Sequence, residues 1–114
     1  MSGYLTTHVL DTARVCPAAG LLIRLSRITE AGPLSLREMR TNADGRTDTP
    51  ILPEAEYAPG LYELLFHAGD YLHAAGEDAG FLDLIPIRFT LSEEMHYHVP
   101  LLLSPYGYTT YRGS

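Results

Sequence analysis

An all-β fold, either a sandwich or a barrel, is predicted by this sequence on three observations. Apolar and polar residues alternate with a period of two along most of the chain, as they do in strands with one buried face. Gly, Pro, Asn or Asp breaks the alternation about every ten residues, which is typical of short strands joined by turns. One stretch, AGDYLHAAG at residues 68–76, interrupts the β pattern. It has room for a helix of one or two turns.

The predicted strands run from one group of turn residues to the next. Leu21, Ile23 and Leu25 share one face of the second strand, which indicates a strand half-buried in a sandwich. Pro86 lacks the backbone N–H that a central strand donates, so its strand is expected at a sheet edge or a bulge. In chain order the predicted strands are residues 5–10, 21–28, 34–41, 61–66, 84–91, 95–103 and 108–111.

Turn and cap residues mark the ends of these elements. Asp44-Gly45, within TNADGRTD, predicts a tight turn because Gly adopts the positive φ that such turns require. In the helical stretch we expect Asp70 to cap the first turn through its carboxylate. Gly76 is expected to end the helix in the left-handed conformation.

Length and charge limit the class of protein. The chain has 114 residues, close to the commonest domain size, so we expect a single domain over residues 1–114. Its 8 Lys and Arg stand against 14 Asp and Glu, for a net charge of −6. Nucleic acid and anionic membrane surfaces would have to be bound against repulsion, and neither is expected as a partner.

The expected location is cytoplasmic. The single cysteine, Cys16, has no internal partner for a disulfide, which fits a reducing compartment. No apolar run approaches the roughly 20 residues that span a bilayer. Residues 1–10 lack the basic and apolar regions of a signal peptide.

Two histidines are predicted to share one face of a strand. His96 and His98 are two residues apart in HYHVP, so their side chains point the same way, while Tyr97 and Val99 point to the other face. The simplest interpretation is an exposed polar face on an edge strand. A zinc site is the alternative, because imidazole is a common zinc ligand, but no third ligand is evident. The spacing leaves both open.

Other polar candidates have equally simple structural interpretations. His8, flanked by Thr6 and Thr7 in the first strand, resembles a hydrogen-bonded structural histidine, and Arg46 resembles a solvated loop arginine. The sequence has no G-x-S-x-G elbow and no H-E-x-x-H motif. These patterns alone predict a β domain with a candidate histidine site.

Three longer stretches, in the same order, resemble the transthyretin-related 5-hydroxyisourate hydrolases. They are LTTHVLDTARVCPAAGL near the start, ADGRTD in the middle and YHVPLLLSPYGYTTYRGS at the end. The closing YRGS is the most specific motif, because the hormone carrier transthyretin, of the same fold, lacks it. The resemblance implies a transthyretin-like two-sheet β-sandwich of about eight strands with one short helix, assembled as a homotetramer around a central channel.

The resemblance also implies a small-molecule substrate and a reaction, the hydrolysis of 5-hydroxyisourate to 2-oxo-4-hydroxy-4-carboxy-5-ureidoimidazoline. This chemistry requires neither a metal nor an organic cofactor, so none is expected. The implied catalytic residues are His8, Arg46, His98 and Ser114. The implied substrate-binding residues are His8, Arg46, Tyr111, Arg112, Gly113 and Ser114. Either His8 or His98 suits the general base, and His96 has at most a supporting or metal-binding role.

Two departures from the family and two alternative functions accompany this expectation. Val15 stands where the family usually has Gly, in a loop, and FLDLIP stands in place of an aromatic-aromatic-Pro run, on a sheet away from the proposed site. One alternative is a carrier that binds a hydrophobic ligand in its channel without turning it over. The other is a zinc-binding module built on His96 and His98. Titratable residues at the pocket favour catalysis.

Overall fold

Two four-stranded sheets stacked face to face form the protein in a computed structural model that describes residues 3–113. The strands are β1 Tyr4–Asp11, β2 Cys16–Pro17, β3 Leu22–Thr29, β4 Gly32–Arg40, β5 Gly60–His67, β6 Leu84–Leu91, β7 His96–Ser104 and β8 Gly107–Thr110. One sheet has the order β2-β1-β7-β8 and the other β4-β3-β5-β6. A 3₁₀ turn at Glu54–Glu56 and one helix, α1 at Ala68–Ala74, complete the elements. The predicted all-β sandwich with one short helix is confirmed.

The core lies between the sheets and follows the period-two pattern. Inward residues of all four central strands are fully buried, among them Leu5 and Val9 of β1, Ile23 of β3, Leu64 of β5 and Leu101 of β7. Burying one such side chain contributes about 1.5–3 kcal/mol. The alternation therefore fixes which face of each strand is turned away from the core.

The parallel pairing of β1 with β7 positions the candidate histidines. Its register sets Tyr4 opposite His96, Thr6 opposite His98 and His8 opposite Pro100. Because β7 lies between β1 and β8, the expectation of an edge strand for its histidines was wrong. β1 and β8 pair with the backbone N–H and C=O groups of β7 on its two sides. The strand face that carries His96 and His98 is the outer face of the sheet.

The C-terminal end of the helix agrees with prediction, and the N-terminal end does not. Gly76 has φ of 74°, as expected for the residue that ends α1 in the left-handed conformation. The predicted cap at Asp70 was wrong, since α1 begins at Ala68 and Asp70 lies inside its first turn. The N–H of Gly69 donates to the carbonyl of Asp83 at 2.9 Å, so the loop before β6 holds the start of the helix.

The two departures from the family lie away from the outer face of β1 and β7. Val15 is in the turn between β1 and β2, is 88% exposed and has φ of 55°, so it adopts the left-handed conformation that favours Gly. The FLDLIP stretch leads into β6, an edge strand of the other sheet, as Pro86 predicted. Within residues 3–113, no helix has the length and hydropathy needed to cross a membrane.

Candidate active site

The loop after β4 returns to β1 and sets Arg46 beside His8. The carbonyl of Gly45 accepts a hydrogen bond from the N–H of Val9 at 2.8 Å, and His8 and Arg46 form an isolated antiparallel bridge. Gly45 has φ of 77°, and a Cβ at this position would overlap the carbonyl oxygen of Val9. The side chain of Asn42 accepts from the N–H of Arg46 at 3.2 Å. The turn predicted at Asp44-Gly45 therefore aligns the arginine with the first strand.

One cavity of about 490 Å³ is lined by three of the candidate residues, Arg46, His96 and His98. It lies between the outer face of β1 and β7 and the loop that carries Arg46. Its lining residues are Tyr4, Thr6, Thr7, Arg46, Thr47, Asp48, Thr49, Pro50, His96 and His98. We call it the histidine cavity. His8 lies beside it, paired with Arg46 through the backbone.

His8 is held in one tautomer by a backbone carbonyl. Its Nε2 lies 2.9 Å from the carbonyl oxygen of Asp44, which can only accept, so Nε2 carries the proton and Nδ1 is the basic nitrogen. Burial and the positive charge of Arg46 lower the pKa of His8 below 6.5, and Asp44 offsets part of this effect. His8 is therefore neutral at pH 7.

His98 is a second neutral imidazole beside the same arginine. Burial is the largest cause that lowers its pKa below 6.5, followed by the charges of Arg46, His96 and His8. Its Nδ1 lies 2.8 Å from the hydroxyl oxygen of Thr6. A neutral imidazole beside a permanent cation has the properties of a general base next to an electrostatic stabiliser.

His96 is part of the same cluster. Its ring stacks on Tyr4 with the centroids 4.2 Å apart, and its Nε2 lies 2.6 Å from the Thr6 hydroxyl. The centroids of His96 and His98 are 6.1 Å apart. Across residues 3–113, no group of three His, Cys, Asp or Glu side chains is placed to hold a metal ion.

The end of the chain reaches the histidine face at Gly113. The last strand, predicted over residues 108–111, ends at Thr110 in the structure. The N–H of Gly113 then donates to the carbonyl of His98 at 2.7 Å. A Cβ on Gly113 would lie 2.8 Å from Cδ2 of the His98 ring, so glycine permits this close approach.

The neighbouring tail residues face a different part of the chain. Tyr111 and Arg112 line a separate cavity of about 310 Å³, together with Ile87, Phe89 and Val99. The structure thus groups Arg46 and His98 with His8 and sets Gly113 beside His98, and it leaves Tyr111 and Arg112 outside the histidine cavity. Ser114 lies outside the described residues, and its role stays a prediction.

Sequence reasoning missed Thr6, the residue that contacts both His96 and His98. The signal was available in part, because Thr6 shares a strand face with His8. The missing information was the pairing of β1 with β7, which places Thr6 opposite His98.

Comparison with known proteins gives full-length matches. The model of the HIUase/Transthyretin family matches residues 5–113. A Mesorhizobium japonicum protein named 5-hydroxyisourate hydrolase is 56% identical over 98% of this chain and 93% of its own length. The structure of Klebsiella pneumoniae 5-hydroxyisourate hydrolase has a TM-score of 0.83 at 34% identity, covering 97% of this chain and 99% of that chain.

A longer protein contains a similar unit. The crystal structure of (S)-allantoin synthase has a TM-score of 0.91 at 42% identity over 99% of this chain, which covers 44% of that chain. The family match includes residues of every strand of both sheets and all residues lining the histidine cavity except Tyr4. On this evidence the chain belongs to the HIUase/Transthyretin family.

Proposed function

We propose that this protein hydrolyses 5-hydroxyisourate to 2-oxo-4-hydroxy-4-carboxy-5-ureidoimidazoline, a step of urate degradation. The observation that carries the proposal is the position of Arg46 between two histidines: it forms a backbone bridge with His8 and lines one cavity with His98. The near full-length similarity to proteins named for this activity supports it. The chain supplies a base and a fixed charge, two groups that accelerate the hydrolysis of a cyclic amide.

The reaction opens the six-membered ring at an amide bond. The oxygen of water bonds to the carbonyl carbon, negative charge builds on the carbonyl oxygen, and the carbon–nitrogen bond then breaks. A histidine takes one proton from the attacking water and returns it to the departing ring nitrogen, so the protons balance. Such transfer contributes about 10²–10⁴ in rate. His8 and His98 are the two candidates for this role.

Arg46 is assigned to the charge that develops on the carbonyl oxygen. Its guanidinium stays protonated at any working pH and presents a planar set of N–H donors. Donors held in place before the reaction lower the barrier most, and the loss of one such donor commonly costs about 10²–10³ in rate. The fixed turn at Gly45 supplies this preorganisation.

The tail is proposed to complete the binding site. Gly113 lies against His98, so the residue that follows it, Ser114, is assigned a contact with the substrate. Tyr111 and Arg112 are assigned substrate binding on the family resemblance, although within one protomer they line a different cavity. Their participation requires a second copy of the chain or a rearrangement of the tail.

A homotetramer of single-domain chains in the cytoplasm completes the proposal. β6 and β8 each form one of the two edges of their sheet, and the cavity beside them has apolar side chains such as Ile87 and Phe89 in its lining. Open edges next to apolar surface favour association. A lone cysteine is consistent with a cytoplasmic location.

The direct test is to generate 5-hydroxyisourate in situ from urate with urate oxidase and to follow its decay by ultraviolet absorbance. We expect the protein to accelerate the decay in proportion to its concentration, above the spontaneous rate. Decay at the spontaneous rate, with saturable binding of the same compound, would favour the carrier instead.

A further inference from the structure

The hydroxyl of Thr6 bridges the two histidines of β7. It lies 2.6 Å from Nε2 of His96 and 2.8 Å from Nδ1 of His98. Among residues 3–113 these are its hydrogen-bond partners. Thr6 is therefore hydrogen-bonded to one nitrogen of each ring. The other nitrogen of His98, Nε2, is available to a molecule in the histidine cavity.

Counting protons restricts how these contacts can be made. A hydroxyl donates one proton, so it can donate to only one of the two rings. The other ring must then carry a proton on the nitrogen that faces Thr6 and donate to the hydroxyl oxygen. The tautomers of the two rings are therefore linked through Thr6.

The two distances indicate the direction of the chain of bonds. Hydrogen bonds donated by O–H to an oxygen have a typical heavy-atom separation of about 2.7–2.8 Å, and those donated by N–H to an oxygen about 2.9–3.0 Å. Of two contacts to one hydroxyl, the shorter is therefore the better candidate for the bond that the hydroxyl donates. The shorter contact, at 2.6 Å, is the one between Thr6 and His96. The contact with His98 is the longer of the two, at 2.8 Å, so we assign the hydroxyl as the donor to His96 and as the acceptor of the Nδ1–H of His98.

We propose that Thr6 is a positioning residue, which holds His98 in the Nδ1–H tautomer so that its Nε2 is unprotonated and free to take a proton from water. The proposal rests on the proposed function and assigns the base to His98. When Nε2 takes that proton, Nδ1–H still donates to Thr6, so the hydrogen bond supports both states of the ring. His96 acts through Thr6, because it accepts the hydroxyl proton that would otherwise turn toward His98.

Nitrogen-15 NMR of the imidazole rings reads the tautomers directly, at a pH at which both rings are neutral. His96→Phe and His98→Asn assign the signals. We expect His98 to carry its proton on Nδ1 in the unmodified protein. In Thr6→Val, which keeps the shape but removes the hydroxyl, His98 is expected to change to the Nε2–H form that free imidazole side chains prefer. His98 found as Nε2–H in the unmodified protein would overturn the proposal.

Kinetics of the same variants separate positioning from a structural role. Thr6→Val is expected to lower kcat about 10- to 100-fold, which is less than the full contribution of about 10²–10⁴ from general base catalysis because the His98 ring is still present. The change in KM is expected to be much smaller. Thr6→Ser, which restores the hydroxyl, is expected to recover the Nδ1–H tautomer and most of kcat. His96→Phe, which keeps a ring stacked on Tyr4, is expected to lower kcat because the hydroxyl then donates to His98.

The matched control is Thr12→Val, which removes a hydroxyl that donates to the carbonyl of Leu103 at 3.2 Å in the same sheet. It is expected to leave kcat and the His98 tautomer unchanged. Unchanged kcat and tautomer in Thr6→Val would refute the proposal. If the unmodified protein shows the expected tautomer but does not accelerate 5-hydroxyisourate decay, the hydrogen-bond assignment is supported and the proposed function is refuted.

Discussion

At the scale of single residues, the candidate site depends on two glycines that let backbone approach closely. Gly45 lies against the carbonyl oxygen of Val9, and Gly113 lies against the ring of His98. The first sets Arg46 beside β1, and the second sets the tail beside β7. A side chain at either position would displace a residue of the site.

Gly113→Ala is expected to lower kcat/KM at least tenfold with little change in thermal stability. The new Cβ would lie 2.8 Å from Cδ2 of His98, so the ring or the tail must move, and small misplacements of catalytic groups are costly. Gly107→Ala is the control, because its Cβ would meet nothing closer than the Ser104 Oγ at 3.9 Å. Equal kcat/KM for the two variants would show that the tail approach has no catalytic role.

Val15→Gly is expected to stabilise the protein by about 1 kcal/mol. A β-branched residue at φ of 55° bears the steric cost of the left-handed region, about 1–2 kcal/mol, which exceeds the entropic cost of a glycine, about 0.5–1 kcal/mol. Val15→Ala keeps a Cβ and should gain much less. Urea denaturation measures both, and a loss of stability in Val15→Gly would contradict this account of the turn.

At the scale of elements, α1 is tied to the end of β1 through a buried carboxylate. Asp11 accepts hydrogen bonds from the Tyr71 hydroxyl at 2.8 Å and from the N–H of Arg14 at 3.0 Å. Glu77 follows α1 and has one buried oxygen, Oε2, without a partner among the described residues. Burial and then the carboxylate of Asp11 raise the pKa of Glu77 to about 7.

Glu77→Gln is expected to change the pH dependence of stability. The pKa of Glu77 rises from 4.5 in the unfolded chain to about 7, so the folded state binds more protons between these values and loses stability as the pH rises through 7. Gln is neutral at every pH, so the variant does not lose this stability as the pH rises. The melting temperature of the variant minus that of the unmodified protein should therefore be larger at pH 8 than at pH 5. The same difference between the two at both pH values would show that Glu77 does not titrate in this window.

The elements also show how far sequence reasoning extends. The positions of the seven longer strands, the turn at Gly45, the edge position of Pro86 and the end of α1 at Gly76 follow from local patterns, because alternation and positive φ are local properties. The two-residue strand β2 was not predicted. The parallel register that puts Thr6 opposite His98 depends on partners far apart in the chain, which no local pattern encodes. The cap at Asp70 failed because contacts with the loop before β6 set the start of the helix.

At the scale of the whole molecule, the histidine cavity lies on the outer face of one sheet. A surface of this kind is closed to water only if something covers it. The sheets also have four edge strands in the isolated chain, β2, β4, β6 and β8. Both features are explained if copies of the chain associate.

We expect light scattering to give four times the chain mass of 12.6 kDa at micromolar concentration. Closed symmetry would bring equivalent patches of the chain together and cover the open edges. Dilution should lower activity only when the assembly dissociates. A monomer with full activity would remove association from the account of the site.

The most direct test of the central claim is the kcat/KM for 5-hydroxyisourate of His98→Asn measured beside that of His73→Asn. Asn keeps a polar side chain but cannot act as a base at neutral pH, and His73 is an exposed residue of α1 outside the histidine cavity. We expect His98→Asn to lose at least tenfold in kcat/KM, with its β-rich circular dichroism unchanged, and His73→Asn to match the unmodified protein. Unmodified kcat/KM in His98→Asn would contradict the assignment of proton transfer to that residue.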